Sequence, residues 1–224
     1  MLQTSTLKFL KDLQKNNNKS WFDANRKVYD AAKADFISFI DAVIEKHGKK
    51  DPSIAHLAAK DCIFRINRDV RFSKDKSPYK SNMGAYINKD GKKGISAGYY
   101  FHCEPGAAFG GGGLYMAPPD QLKNIRQEID YNWKEFQKII NSKKFKAVFG
   151  DLSTEGDMKL SRPPKGYEAD NPAIEYLKLK SWVGMQQFSD ADLTSKDLVK
   201  KVCTNFETLQ PLLLFLNEGL HAGE

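Results

Sequence analysis

The first fifth of the chain repeats its apolar residues with helical spacing. This spacing predicts a short amphipathic helix over residues 4–15, and after a polar break a long one over 21–47. Ser20, with Asp23 three residues later, is typical of a helix N-cap, and Gly48 is typical of a helix end. The chain is therefore predicted to begin with two helices.

From residue 62 the period changes to two, which predicts a strand over residues 62–72. Its apolar face is continuous, so we expect the strand inside an antiparallel sheet with Phe64, Ile66 and Val70 buried. Arg68 interrupts the alternation, which indicates either a bulge or a partly buried polar site. The opposite, polar face carries Arg65, Asn67, Asp69 and Arg71.

Shorter strands are predicted over residues 83–87, 95–104, 108–115 and 179–184. Four consecutive glycines at 110–113 resemble a phosphate-binding loop at first sight. No Lys-Ser or Lys-Thr pair follows them, however, and two prolines come before the next helix. We expect instead a close approach of the backbone to a neighbouring helix or a ligand.

Helical patterns return in the second half of the chain. A helix is predicted over about 118–140, and Thr194 is typical of the cap of a C-terminal helix that runs to about Gly219. Pro211 should kink or split that helix. Strands in the middle and helices at both ends predict an α+β fold, with a central antiparallel sheet flanked by long N-terminal, middle and C-terminal helices. The length suits a single domain over residues 1–224.

Composition is that of a globular protein, with 41% hydrophobic and 12% aromatic residues, but its charge is unevenly spread. Between Lys60 and Lys93 there are ten lysines and arginines against four aspartates, a net of +6 out of +7 for the whole chain. Such a field attracts phosphate, carboxylate or nucleic acid, although a basic face can also serve solubility alone.

The chain contains three cysteines, Cys62, Cys103 and Cys203, without the spacing of a metal site or disulfide framework. They predict buried, reduced thiols in a reducing compartment. The first residues do not have the pattern of a signal peptide, and no apolar run is long enough for a bilayer. We therefore expect a cytoplasmic protein with no membrane partner. The four histidines are scattered, and the sequence predicts no metal site and no cofactor.

The run from Arg65 to Lys80, RINRDVRFSKDKSPYK, resembles the family catalogued as domain of unknown function 2461. The similarity extends over nearly the whole chain and includes Asn17, Trp21, Phe22, Tyr29, the glycines at 111–113, residues 162–167 and residues 211–217. The resemblance implies a single domain of bacterial cytosolic type. It implies no particular reaction and no catalytic residues.

The leading functional hypothesis is an anionic ligand, a phosphorylated one in particular, bound on the polar face of residues 62–72 and the loop that follows. Arginine forks hold phosphate or carboxylate with two hydrogen bonds, and nearby lysines add charge. Asp69 suits the orientation of a guanidinium. The partner is either a small molecule or a nucleic acid. The predicted ligand contacts are Arg65, Arg68, Arg71, Lys76, Tyr79 and Lys80.

Two alternatives belong to other classes of function. In one, the protein is a metal-independent enzyme that uses His102 or Asp69 as a general base. Strand alternation puts Tyr100, His102 and Glu104 on one face, and a histidine held by a carboxylate is suited to proton transfer. In the other alternative, the aspartates satisfy the arginines and the domain is purely structural or binds proteins. The sequence makes no prediction of oligomeric state.

Overall fold

The structure, a computed structural model, describes residues 1–154 and 158–221. Within these residues the chain forms ten α-helices and a four-stranded antiparallel sheet of order β1-β2-β3-β4, which confirms the predicted α+β class. No helix in the described ranges is both long enough and apolar enough to pass through a bilayer. The helices are α1 Thr4–Lys15, α2 Lys19–Ala24, α3 Arg26–His47, α4 Ala59–Cys62, α5 Pro119–Tyr131, α6 Trp133–Ile140, α7 Lys143–Phe149, α8 Ile174–Leu177, α9 Asp190–Leu193 and α10 Leu198–His221, and the strands are β1 Met83–Ile87, β2 Gly98–Cys103, β3 Ala108–Leu114 and β4 Trp182–Phe188.

The N-terminal helices follow the predicted pattern with one correction. Helix α1 has the predicted bounds, but the long second helix is divided into α2 and α3 at Asn25. The Asn25 side chain donates to the carbonyl of Trp21, a local bond that competes with the helical ladder. The N-cap of α2 is Asn18, whose side chain accepts from the Trp21 amide at 2.9 Å, so the prediction of Ser20 as the cap is wrong.

The prediction of a strand over 62–72 is wrong. Residue 62 ends helix α4, and residues 63–72 belong to no strand. Isolated bridges nevertheless join Ile63 to Ala85 and Asn67 to Tyr79. Ile66 is buried as expected, but Phe64 is 41% exposed. Residues 63–72 lack the continuous partner that a ladder needs, because loop side chains bond the backbone instead.

The glycine-rich strand β3 makes the predicted close backbone approach, but to other strands rather than to a helix or a ligand. Gly112 and Gly113 have φ of +148° and +134°, a region that favours glycine. A Cβ on Gly112 would run into the backbone of Gly98 and Tyr99, and a Cβ on Gly113 into that of Trp182. The neighbour is therefore strand backbone, and these glycines allow the sheet to form.

The later helices also differ from prediction in their ends. The predicted helix over 118–140 is divided into α5 and α6 at Asn132, whose side chain donates to Glu128. Thr194 is the C-cap of α9, because a capping box at Ser189 starts that short helix first. Helix α10 continues through Pro211, so the helix is not split there.

The described residues form two compact units. The first contains Met1–Gly94, Tyr100–Gly110 and Gln187–Thr204. Its core includes Phe101 of β2, which lies 4.9 Å from Phe39 of α3 between ring centroids. The prediction of a single domain over residues 1–224 stays a prediction.

The second unit contains Ile95–Tyr99, Gly111–Gln186 and Asn205–Glu224. Its core is also aromatic. Tyr99 of β2 stacks on Phe206 of α10 at 4.7 Å, and Phe136 of α6 packs on Phe215 of α10 at 5.3 Å. Buried rings thus hold helices to the sheet and to one another within this unit.

All three cysteines are buried, as predicted. Burial raises the pKa of Cys62 to about 11 and that of Cys103 to about 12. Both thiols are therefore protonated at neutral pH, and we expect little nucleophilic reactivity from either.

Candidate functional site

All the predicted site residues belong to the first unit, where residues 63–68 run antiparallel to 78–85. The Lys80 amide donates to the carbonyl of Ile66 at 2.8 Å, and the Phe64 amide donates to Gly84 at 3.0 Å. Between these two bonds, residues 81–83 lie opposite Arg65 alone. This is a bulge, a feature that redirects side chains and is common near functional sites.

The loop after this ladder is closed by its own side chains. Arg68 forms an ion pair with Asp75 and donates to the Ser77 carbonyl at 3.1 Å. Lys76 donates to the carbonyl of Val70 at 3.0 Å. Hydrogen bonds from the Ser77 hydroxyl and amide, followed by that from Arg68, lower the pKa of Asp75 to about 2. Arg68 and Lys76 therefore both help to hold the loop in shape.

Arg71 lies near the exposed tip of the loop and is held by Asp69. Its Nε and Nη2 atoms donate to the carboxylate at 3.0 and 2.7 Å, and these hydrogen bonds lower the pKa of Asp69. The guanidinium lies 5.8 Å from the ring of Phe72, which is 96% exposed. Because the chain is not a strand here, the expected row of polar side chains is not formed. The Asp69 carboxylate engages Arg71, and its role as a general base stays a prediction.

Arg65 and Lys80 differ from these paired cations. Within residues 1–154 and 158–221, neither of them forms an ion pair with a carboxylate. The Lys80 ammonium lies 5.3 Å from the centre of the Phe64 ring. Burial lowers the pKa of Lys80, and the positive charge of Arg65 lowers it further. The charge of Arg65 also lowers the pKa of Asp69, so this guanidinium acts on both Lys80 and a carboxylate without forming an ion pair with that carboxylate.

A cavity of about 320 Å³ opens beside this ladder. Tyr79 contributes to its wall, but the Tyr79 ring is buried and stacks on Phe22 at 4.0 Å. Asn17 fixes Tyr79 in place, since its side chain accepts from the Tyr79 amide at 3.1 Å and donates to the Tyr79 carbonyl at 2.8 Å. The other polar residues that line the cavity are Gln14, Asn17, Arg68, Asp75, Ser77, Lys80, Ser81 and Asn82, so one carboxylate, that of Asp75, lies in its wall.

A chain of hydrogen bonds extends from Ser81 at this cavity to strand β2. The Ser81 hydroxyl donates to Oε1 of Glu104 at 2.8 Å, and the other Glu104 oxygen lies 3.0 Å from Nε2 of His102. Nδ1 of His102 lies 3.1 Å from the Tyr100 hydroxyl. The imidazole also stacks on Phe109 at 4.8 Å. Two alternate residues of β2, the residue that directly follows this strand and one residue of the bulge thus form a continuous polar chain.

The protonation states of these residues determine which group donates and which accepts in each hydrogen bond. Burial by itself raises the pKa of Glu104, but hydrogen bonds from His102 and Ser81 outweigh it and leave the pKa below its ordinary value. An ionised carboxylate only accepts hydrogen bonds, so Nε2 of His102 carries the proton towards it. Burial, assisted by the charge of Glu104, raises the pKa of Tyr100 to about 12, so its hydroxyl remains protonated and suits donation to Nδ1. Gly84 leaves room for that hydroxyl, because a Cβ there would lie 2.6 Å from it.

A family model described as conserved hypothetical protein (DUF2461) matches residues 5–215. The chain belongs to this family. No curated protein and no solved structure matches the chain. Family membership confirms the resemblance that the run from Arg65 to Lys80 had indicated. The family description names no activity.

In this DUF2461 chain the predicted residues separate into two groups. The Lys80 ammonium lies over the Phe64 ring and is affected by the charge of Arg65, whereas Arg71 and Asp69 bind each other near the loop tip. The Phe64 ring lies 6.4 Å from that of Tyr100 between centroids. No group of three or more histidines, cysteines, aspartates and glutamates is placed to hold a metal ion in the described part of the chain.

Sequence reasoning missed Ser81 and Gly84. The spacing of Tyr100, His102 and Glu104 revealed that they share a face, but the connection to Ser81 depends on a bulge. A serine directly after the basic run, in Lys80-Ser81-Asn82, is the only local signal, and by itself it is weak.

Proposed function

We propose that this protein binds a small phosphorylated ligand at Arg65 and Lys80, beside the cavity lined by Ser77, Ser81 and Asn82. The observation that carries the proposal is that neither cation forms an ion pair with a carboxylate among the described residues, while Lys80 lines the cavity and the charge of Arg65 acts on both Lys80 and Asp69. Like charges held together destabilise each other, and a bound phosphate removes that repulsion. The hydroxyl and amide groups of the cavity wall add hydrogen bonds to phosphate oxygens.

The shape of the site favours a small ligand over a nucleic acid. A polymer needs a row of accessible cations along its backbone. In this segment Arg68 and Arg71 are each paired with an aspartate, and Lys76 is bonded to the loop backbone. The accessible charge is therefore local, and it lies at a concave surface with room for a molecule of a few carbon atoms and one phosphate.

The test is calorimetric titration of the purified protein at low salt with pyrophosphate and nucleoside monophosphates. Arg65→Gln and Lys80→Met should each weaken binding about tenfold or more, because a hydrogen bond between charged groups contributes about 1.5–3 kcal/mol. Arg71→Gln is the matched control, since that arginine lies in the same segment but is held by Asp69; its affinity should change less than about twofold.

Three outcomes would contradict the proposal. One is the absence of binding by every phosphorylated probe to a protein whose circular dichroism shows it folded. Another is an equal loss of affinity in all three variants. The third is preferential binding of oligonucleotides with a log–log salt slope of roughly −2 to −4, which would indicate several phosphate contacts and favour a nucleic acid.

A further inference from the structure

We infer that the hydroxyl of Ser81 is a nucleophile that accepts a phosphoryl group from a small acyl phosphate, with Glu104 as its general base. The inference rests on the proposed function, because it needs the phosphoryl group of the ligand in the cavity beside Lys80. It narrows the ligand from any small phosphorylated molecule to one in which the phosphoryl group is bonded to a carboxylate.

The hydrogen bonds around Ser81 are those of an activated hydroxyl. Such a nucleophile lies within hydrogen-bond reach of a base, and a third group orients that base. The Ser81 hydroxyl donates to Oε1 of Glu104 at 2.8 Å, and Nε2 of His102 lies 3.0 Å from the other carboxylate oxygen. Although burial raises the pKa of Glu104, hydrogen bonds from His102 and Ser81 bring it below its ordinary value, so the carboxylate is ionised at neutral pH. Glu104 is therefore placed to take the proton of Ser81.

The cavity offers positive charge next to this hydroxyl. Its wall contains Ser81, two cations and one carboxylate. The carboxylate, that of Asp75, already forms an ion pair with one of the cations, Arg68. The other cation, Lys80, forms no ion pair with a carboxylate among the described residues, so its charge is available to phosphoryl oxygens beside Ser81. A fixed cation at this place stabilises the charge that develops on a phosphoryl group during its transfer.

The reaction balances without an oxidant or reductant. The Ser81 oxygen attacks phosphorus, a new O–P bond forms, and the bond between phosphorus and the acyl oxygen breaks. The Ser81 proton passes to Glu104, in the way that the catalytic carboxylate of a protein kinase takes up the proton of the attacking hydroxyl. Glu104 then releases this proton to solvent, since 23% of its side chain is exposed. The products are phosphoserine and a free carboxylate.

The leaving group decides between an acyl phosphate and a phosphate ester. An ester leaves as an alkoxide, which needs a proton from an acid, whereas an acyl phosphate leaves as a stable carboxylate. The cavity wall in the described ranges contains no histidine, and hydrogen bonds from Ser77, followed by that from Arg68, lower the pKa of its one carboxyl group, Asp75, to about 2. The ammonium of Lys80 is a much weaker acid than a carboxyl group. The wall therefore suits a leaving group that needs no proton.

Ser77 provides a matched comparison within the same cavity. Its hydroxyl donates to Oδ1 of Asp75 at 2.7 Å, so this serine is also hydrogen-bonded to a carboxylate. That carboxylate is paired with the permanent charge of Arg68 and has a strongly lowered pKa, which makes it a poor proton acceptor. If a hydrogen bond to a carboxylate were sufficient for reaction, Ser77 and Ser81 should be modified alike.

The experiment incubates the full chain with acetyl phosphate near neutral pH and locates phosphoserine by mass spectrometry of the digested protein. We expect modification of Ser81 to exceed that of Ser77 about tenfold or more. Glu104→Gln should slow modification of Ser81 by about a hundredfold or more, the loss expected when a general base is removed. Methylenediphosphonate should suppress the reaction by occupying the anion site, because its P–C–P link cannot transfer a phosphoryl group.

The outcomes separate this inference from the proposed function. If calorimetry shows that the folded parent binds methylenediphosphonate but Ser81 is modified no more than Ser77, the inference is wrong and the anion site stands. Equal rates in the parent and in Glu104→Gln would also overturn it. If circular dichroism shows that Glu104→Gln does not fold, the comparison of Ser81 with Ser77 in the parent decides the question. If methylenediphosphonate neither binds nor suppresses the modification, the anion site is wrong and the inference built on it falls with it.

Discussion

Replacement of Gly84 by alanine should test the packing that holds the polar chain together. An alanine Cβ would lie 2.6 Å from the Tyr100 hydroxyl oxygen and 3.2 Å from the ring carbon that bears it. The ring cannot move away freely, because the hydroxyl is bonded to His102 and the ring packs on Phe109 at 5.5 Å. We therefore expect Gly84→Ala to displace Tyr100 and break its hydrogen bond to His102.

The expected loss of stability can be worked out from three contributions. Overpacking costs about 1–3 kcal/mol, and the lost hydrogen bond adds about 0.5–1.5 kcal/mol. Alanine restricts the unfolded chain more than glycine does, which returns about 0.4–1 kcal/mol because the φ of Gly84 is one that alanine tolerates. The net change is a destabilisation of about 0.5–4 kcal/mol.

A double-mutant cycle isolates the contact with the hydroxyl. Urea unfolding followed by circular dichroism would be measured for the parent, Gly84→Ala, Tyr100→Phe and the double variant. Without the hydroxyl, the nearest ring atom lies 3.2 Å from the alanine Cβ, so Gly84→Ala should cost at least about 1 kcal/mol less in the Tyr100→Phe background. Equal costs in both backgrounds would refute the proposed role of Gly84, and so would a stabilising effect of Gly84→Ala in the parent.

Three further predictions concern single residues. Asn18→Ala should destabilise the protein by about 1 kcal/mol in urea unfolding because it removes the α2 cap, whereas Ser20→Ala should change little; the reverse order would contradict the observed cap. Asp75→Asn should lower the melting temperature above about pH 4, and the difference in melting temperature from the parent should vanish as the pH falls through about 2. The reason is that the pKa of Asp75 is depressed in the folded state, so its carboxylate stabilises the fold only while it is ionised. A difference that persists at the lowest pH would show that the carboxylate charge is not the cause. Cys62 and Cys103 should react slowly with a thiol reagent at about pH 8 in the native protein, because burial raises their pKa values to about 11 and 12. Both should react fully in urea, and rapid labelling of the native protein would contradict this prediction.

Local patterns were sufficient for much of the fold. The helix over 4–15 and the strand over 83–87 have their predicted bounds, since periodic burial and nearby turn residues determine them within one short stretch. The same alternation put Tyr100, His102 and Glu104 on one side of the chain, where their side chains do meet, although β2 ends at Cys103, one residue before Glu104.

The alternation of apolar and polar residues over 62–72 led to the wrong prediction of a strand. A strand needs a partner that accepts and donates along its whole length, whereas periodicity reports only the faces of the segment itself. Here Arg68 and Lys76 bond to loop carbonyls, and Asp75 receives hydrogen bonds from Ser77, so the chain leaves the ladder. Which cations acquire a carboxylate partner was likewise invisible in the sequence.

The sequence by itself thus determined the class of fold, the concentration of positive charge and the shared side of Tyr100, His102 and Glu104. Only the tertiary structure decided that Arg68 and Arg71 are paired with aspartates and that the Lys80 ammonium lies over the Phe64 ring. The contact between Ser81 and Glu104 joins residues 23 positions apart and depends on the bulge opposite Arg65. Contacts of this kind follow from strand register, which local composition does not specify when hydrogen bonds from loop side chains compete with the ladder.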